Sequence, residues 1–141
     1  MAKRIMLIDD DSDDRELFRE ALSEIDPSII AVTADSSSQA FDKLGAVDTG
    51  VFDLILLDIN MPVVSGWECL KLLKHDQLYR NIPVVMFSTS SHSVERENAR
   101  ALGALGLITK PSNFEILKQR LQDVLEYLRD GGDSDAIRNF I

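Results

Sequence analysis

Charged and hydroxyl side chains directly follow four short apolar runs of this sequence. The first run leads into Asp9-Asp10-Asp11, and later runs lead into Asp58, Ser88 and Lys110. Carboxylates that crowd together repel one another unless a hard divalent cation such as Mg²⁺ lies among them. A fixed positive charge and a hydroxyl donor stabilise the oxygens of a phosphoryl group during its transfer. These residue types predict phosphoryl chemistry, provided that the fold brings them together.

The elements that must position these residues follow from the hydrophobic pattern. Short runs rich in Ile, Val and Leu are typical of buried strands in a parallel sheet. Segments of helical period separate them, and two of these place their apolar residues on one face, at 17–25 and 114–128. We predict strands at 4–8, 29–34, 54–57, 84–87 and 107–109, in an α/β fold.

Alternating strands and helices predict a doubly wound parallel sheet, because right-handed crossovers place helices on both of its faces. Ligands of such sheets bind at the carboxyl ends of the strands, where the strand order reverses. If the order is 2-1-3-4-5, then Asp9, Asp10 and Asp58 meet in one crevice. Asp58 is the expected nucleophile, because a carboxylate that attacks phosphorus forms an acyl phosphate. We expect Lys110 and Ser88 to meet the phosphoryl oxygens in the same crevice.

Capping signals indicate where several helices begin. Serine stands three positions before Glu or Gln at Ser36, Ser65 and Ser112, which is the spacing of a capping box. Acidic residues at a helix start are commonly caps that the helix dipole favours, and we interpret Asp11, Asp13 and Asp14 in this way.

The size and charge of the chain exclude several classes of function. Its 141 residues predict one compact domain at 1–130 and a short tail at 131–141. The net charge of −9 disfavours nucleic-acid binding, which needs a basic face. No apolar segment is long enough for a membrane span or a secretory signal. We therefore expect a cytoplasmic protein that makes no contact with nucleic acid and does not insert into a membrane.

Four motifs together resemble those of response-regulator receiver domains of two-component signalling systems. They are Leu7-Ile8-Asp9-Asp10-Asp11, Leu56-Leu57-Asp58-Ile59-Asn60-Met61-Pro62 with Gly66 four residues on, Ser88, and Lys110-Pro111. The resemblance extends over residues 3–128, nearly the whole chain. It implies a flavodoxin/CheY-like fold with five strands in the order 2-1-3-4-5. About a dozen residues follow position 128, too few for an output domain, so we expect none in this sequence.

The same resemblance implies a role for each matching residue. A histidine kinase or phosphotransfer protein would phosphorylate Asp58 in a reaction that depends on Mg²⁺. Asp9, Asp10, Asp58 and the backbone carbonyl of Asn60 would serve the metal, directly or through water. Ser88 would take the place of the switch hydroxyl, and Lys110 would contact the phosphoryl group.

Two further features follow from the comparison with this family. The pattern suggests a cis peptide bond between Lys110 and Pro111. Many receiver domains carry Tyr or Phe two to three residues before the lysine, and here the matching residue is Leu107. An aromatic rotamer switch is therefore in doubt, whereas a population shift of the fourth helix and fifth strand stays available.

The motifs leave several functions open. The chain could act by docking to an unknown downstream protein once phosphorylated, as a monomer or weak dimer, or as an intermediate in a phosphorelay. A pseudo-receiver, which binds partners without phosphorylation, is the alternative. A phosphatase of the haloacid-dehalogenase type would need a second Asp where this sequence has Asn60. We therefore expect a phosphoacceptor with slow autodephosphorylation and no turnover of an external substrate.

Overall fold

The computed structural model describes residues 3–46, 51–89 and 93–129, in which strands and helices alternate. The elements are β1 Arg4–Ile8, α1 Ser12–Ile25, β2 Ile30–Ala34, α2 Ser37–Leu44, β3 Leu54–Asp58, α3 Gly66–His75, β4 Val84–Ser88, α4 Ser93–Ala101, β5 Gly106–Thr109 and α5 Phe114–Arg129. The five predicted strands are confirmed, with bounds that differ by at most one residue at each end.

The strands form one parallel sheet in the order β2-β1-β3-β4-β5. Ile8 of β1 lies beside Leu57 of β3, and Asp58 lies beside Phe87 of β4. The predicted doubly wound sheet is thus confirmed. Because β1 and β3 are neighbours, the residues that follow them meet at the carboxyl edge of the sheet.

Side chains alternate between the two faces of the sheet, and helices cover both faces. Met6 and Ile8 of β1 belong to one buried cluster with α2, α3 and α4. Ile5 and Leu7 belong to a second cluster with α1 and α5. Strands that are buried on both faces gain from apolar residues at every position, which explains the unbroken apolar runs in the sequence.

Helix starts agree with two of the three capping predictions. Ser36 and Ser65 each accept a hydrogen bond from the backbone N–H three residues later, at 3.1 and 3.3 Å. The prediction for Ser112 is wrong. Oδ1 of Asn113 accepts the N–H groups two and three residues after it, at 2.8 and 3.2 Å. Asn caps as well as Ser does, so α5 begins one residue later than the serine spacing suggested.

The remaining backbone predictions have mixed outcomes. The Lys110–Pro111 bond is trans, as are all peptide bonds between described residues, so the expected cis bond is wrong. The trans isomer is intrinsically the more stable one even before proline.

Within the described part of the chain, no helix is long and apolar enough to span a bilayer. The tail expected at 131–141 lies outside the described residues.

Candidate functional site

Three carboxylates converge where β1 and β3 end. Oxygens of Asp9, Asp10 and Asp58 all lie within 4.8 Å of one another. Asp9 and Asp58 are almost fully buried, at 1% and 4% exposed, whereas Asp10 is open to solvent. Hard divalent cations prefer carboxylate oxygens and keep some of their waters, so this donor set, with one open side, fits such an ion.

Backbone groups and a guanidinium hold Asp9 in place. Its N–H donates to the carbonyl of Ala34 at 3.0 Å, and its Oδ1 accepts the N–H of Asp11 at 3.0 Å. Nη1 of Arg15 donates to the Asp9 carbonyl at 2.8 Å. The Asp9 carboxylate is therefore oriented by the turn between β1 and α1.

Burial and mutual repulsion perturb the buried carboxylates. Burial raises the pKa of Asp58 from 3.8 to about 6, with a further contribution from the charge of Asp9, while Lys110 and a backbone hydrogen bond from Asn60 oppose the rise. Burial also raises the pKa of Asp9, against hydrogen bonds from Asp11 and Lys110. The negative charge held here is destabilised, which favours the binding of a cation.

Lys110 follows β5 and forms ion pairs with three carboxylates. Its Nζ lies 2.9 Å from Oδ2 of Asp9, 2.9 Å from Oδ2 of Asp14 and 3.2 Å from Oδ1 of Asp58. Burial alone would lower the pKa of Lys110, but hydrogen bonds to Asp14 and Asp9 outweigh it and raise the pKa. The ammonium group is thus fixed as a positive charge beside Asp58.

Asp14 is a site residue that the sequence interpretation missed. The prediction that Asp11, Asp13 and Asp14 serve the start of α1 is correct for Asp11, whose side chain accepts the N–H groups of the other two. The side chain of Asp14, however, reaches Lys110. Helical side chains lean towards the N-terminus, so an acidic residue in a first turn at this sheet edge was a signal that could have found it.

Ser88 ends β4, and its hydroxyl is held by the following helix. Its Oγ donates to Oε2 of Glu95 in the first turn of α4, at 2.8 Å. The Ser88 carbonyl accepts the N–H of Lys110 at 2.7 Å, which ties the ends of β4 and β5 together. Ser88 is 1% exposed. Glu95 was also missed, because its contact depends on how α4 lies against the sheet.

Gly66 permits a close approach behind Asp58. A Cβ atom at this position would overlap the carbonyl oxygen of Asp58 and crowd the Cα of Ile59. The Gly66 N–H instead donates to the Ile59 carbonyl at 2.8 Å. The glycine of the motif therefore lets α3 begin directly against the backbone that carries Asp58.

Leu107 occupies the position where an aromatic switch residue was considered. It is 1% exposed and packs in the cluster formed with α2, α3 and α4. Nη1 of Arg96 donates to its backbone carbonyl at 3.1 Å, which connects α4 to β5. Position 107 therefore holds a buried aliphatic side chain and no aromatic ring that could rotate.

Comparison with known protein families finds one domain family that covers most of the chain. Residues 5–122 match the family described as "Response regulator receiver domain". Chemotaxis protein CheY1 of Helicobacter pylori is 29% identical over 123 residues, which cover 86% of this chain and 96% of that protein. A protein-glutamate methylesterase/protein-glutamine glutaminase of Trichodesmium erythraeum is 35% identical over 128 residues. The match covers 89% of this chain but only 34% of the esterase.

Solved structures have the same fold. The phosphorylated cyanobacterial phytochrome response regulator RcpA superimposes with a TM-score of 0.79 and 32% identity, over 91% of this chain and 94% of that one. The Mn²⁺-bound form of response regulator Rcp1 gives a TM-score of 0.74 and 26% identity, over 89% and 93% of the two chains.

Proposed function

We propose that this chain, which belongs to the family of response regulator receiver domains, accepts a phosphoryl group on Asp58 and signals through the resulting acyl phosphate. One observation carries the proposal. The buried Asp58 carboxylate lies both within the cluster formed with Asp9 and Asp10 and 3.2 Å from the ammonium group of Lys110. A nucleophile, a cation site and a fixed positive charge are thus adjacent.

The transfer needs one bond to form and one to break. An Oδ atom of Asp58 attacks phosphorus, and the phosphorus–nitrogen bond of a phosphohistidine donor breaks as the imidazole leaves with the bonding electrons. The imidazole then takes a proton from solvent. The product is an aspartyl phosphate, and Asp58 needs no general base because its carboxylate is the attacking species.

The acidic cluster supports a requirement for a divalent cation, which we assign as Mg²⁺. Asp9, Asp10, Asp58 and the backbone carbonyl of Asn60 would hold it, directly or through water. When bound, the ion would neutralise negative charge on the reacting oxygens. The raised pKa values of Asp9 and Asp58 support this assignment, because a cation relieves the repulsion that helps to raise them. The Mn²⁺ in Rcp1 supports a cation site of this kind.

Lys110 and Ser88 are the proposed ligands of the transferred group. Lys110 is positioned to exchange its contact with Asp58 for one with a phosphoryl oxygen. Ser88, at the end of the strand beside Asp58, would donate its hydroxyl proton to another phosphoryl oxygen. Both contacts stabilise charge that the three phosphoryl oxygens carry.

The donor is a histidine kinase or a phosphotransfer protein, and the output is a contact with a downstream protein or onward phosphoryl transfer. Receiver domains of the CheY type are signalling phosphoacceptors and do not turn over an external substrate. The net charge of −9 supports a protein partner over nucleic acid. We further propose that the chain acts in the cytoplasm as a monomer or weak dimer, with slow autodephosphorylation.

Intact mass spectrometry tests the phosphoacceptor role. The purified protein is incubated with acetyl phosphate and Mg²⁺, beside samples that carry Asp58→Asn or contain EDTA. A single phosphoryl adduct that requires both Asp58 and Mg²⁺ is the expected result. If neither acetyl phosphate nor beryllofluoride engages the wild-type site, the proposal is wrong and the pseudo-receiver function, binding without phosphorylation, takes its place.

A further inference from the structure

The hydroxyl group of Ser88 is already engaged in the unphosphorylated protein. Its Oγ donates to Oε2 of Glu95 at 2.8 Å, and the pair is partly shielded from solvent. A serine hydroxyl has a single proton to donate. Ser88 therefore cannot donate to Glu95 and to a phosphoryl oxygen at the same time.

Two consecutive residues of α4, Glu95 and Arg96, connect this helix to β4 and β5. Glu95 contacts the end of β4 through Ser88, and Arg96 contacts β5 through the carbonyl of Leu107. The buried aliphatic side chain of Leu107 offers no aromatic ring to transmit a change at Ser88. The Glu95 contact is a direct alternative link between the phosphoryl site and α4.

We propose that Glu95 is a positioning residue that holds the Ser88 hydroxyl on α4 until a phosphoryl group on Asp58 takes that hydroxyl and releases Glu95. This inference rests on the proposed phosphoacceptor function and concerns the regulation of the same site. Phosphorylation then breaks this hydrogen bond between the first turn of α4 and the end of β4.

Electrostatic repulsion favours the transfer of the Ser88 hydrogen bond from Glu95 to the phosphoryl group. A phosphoryl group adds about −1.5 to −2 charges, and it would lie beside the hydroxyl to which the Glu95 carboxylate is bonded. The two anions compete for one proton and repel each other. The two contacts of the Ser88 hydroxyl are thermodynamically linked. The hydrogen bond to Glu95 weakens the one to the phosphoryl group, and the phosphoryl group weakens the one to Glu95 by the same factor.

The release changes a surface as well as a hydrogen bond. Glu95 lines a shallow groove between α3 and α4 together with Trp67, Val94 and Asn98. Freeing Glu95 from Ser88 therefore moves a charged wall of this groove in response to chemistry at Asp58.

Calorimetric titration with beryllofluoride, which mimics a phosphoryl group, measures the competition in the full chain with Mg²⁺ present. Loss of the acceptor in Glu95→Ala should tighten beryllofluoride binding by about tenfold, as expected for a hydrogen bond to a charged group. Glu95→Gln keeps a weaker, neutral acceptor and should tighten it by a smaller factor. Glu97→Ala removes an exposed charge from the same helix and should change the affinity little.

A double-mutant cycle separates the hydrogen bond from the simple loss of a negative charge. In a Ser88→Ala background the contact does not exist, so Glu95→Ala should lose most of its effect on beryllofluoride binding. Equal effects of Glu95→Ala with and without Ser88 would overturn the proposal, because a purely structural or purely electrostatic role of Glu95 does not depend on the hydroxyl.

Hydrogen exchange of the α4 amides gives a second readout, measured both without and with beryllofluoride. Without beryllofluoride, Glu95→Ala and Ser88→Ala should each raise exchange of the hydrogen-bonded amides of α4, which begin at Glu97, relative to wild type and to Glu97→Ala. Beryllofluoride should raise exchange there in wild type and add little in Glu95→Ala. Unchanged α4 exchange in all variants would overturn the inference. Failure of wild-type protein both to bind beryllofluoride and to take up a phosphoryl group from acetyl phosphate would instead overturn the phosphoacceptor function.

Discussion

Replacing the proposed nucleophile should make the metal-free protein more stable. In Asp58→Asn, a neutral amide of nearly the same shape stands where a buried carboxylate lies beside Asp9. The wild-type carboxylate is held by the fold in an environment that disfavours its charge, as the raised pKa indicates. The substitution removes that charge and leaves the packing of the 4% exposed side chain almost unchanged.

The size of the effect follows from proton linkage. The pKa of Asp58 is about 6 in the fold against 3.8 for the free group. Because the pKa is higher in the folded protein, the protonated carboxyl stabilises the fold fully at a pH below the pKa of the unfolded chain. This stabilisation is lost as the pH rises through the pKa of the folded protein. At pH 7, ionisation of Asp58 lowers the free energy of unfolding by about 3 kcal/mol, and at about pH 4.5 by only about 1 kcal/mol.

Urea unfolding of both proteins in EDTA, at pH 7 and at about pH 4.5, measures the difference. We expect Asp58→Asn to raise the free energy of unfolding by about 2 to 3 kcal/mol at pH 7 and by about 1 kcal/mol at the lower pH. Asp42→Asn, at an exposed position of α2, is the matched control and should change little. An Asp58→Asn protein that is less stable than wild type at pH 7 would refute this account of the buried carboxylates.

Three further predictions concern the backbone, a cap and the metal. Gly66→Ala should lower the free energy of unfolding by about 1 to 3 kcal/mol in urea because the added methyl group overlaps backbone. Gly45→Ala should leave the free energy of unfolding nearly unchanged, because a Cβ at this position meets only ordinary contacts. Equal effects of the two substitutions would contradict the packing argument. Asn113→Ala should lower the free energy of unfolding by about 1 kcal/mol through loss of the α5 cap, and Ser112→Ala should lower it by less than about 0.5 kcal/mol. The reverse order would indicate that Ser112 is the capping residue. Mg²⁺ should raise the melting temperature of wild type in proportion to its occupancy, reversibly with EDTA, and an equal rise in Asp9→Asn would argue against the assigned cation site.

The apolar runs predicted the strands, and the residues at the ends of these runs form most of the candidate site. Asp58 and Lys110 follow apolar runs, and the carboxyl ends of parallel strands share one edge of a sheet. Once the strand order is known, their convergence needs no knowledge of side-chain packing. The alternation of strands and helices left the sheet order open, and the order was implied by the resemblance to receiver domains.

Contacts made from helices could not be predicted in the same way. Asp14 and Glu95 reach Lys110 and Ser88 because α1 and α4 lie at particular angles and depths against the sheet. Periodicity shows which helical residues share a face but not what that face touches. The choice between Ser112 and Asn113 was similar, since both residue types cap helices well and only packing decides between neighbours.

The most direct test of the central claim is to locate the phosphoryl group. Protein treated with acetyl phosphate and Mg²⁺ is reduced with borohydride, which converts an acyl phosphate of aspartate into homoserine, and peptides are then sequenced by mass spectrometry. The account predicts homoserine at position 58, and none when Mg²⁺ is withheld. Homoserine at position 9 or 10, or a stable phosphoryl group on a hydroxyl side chain, would contradict it.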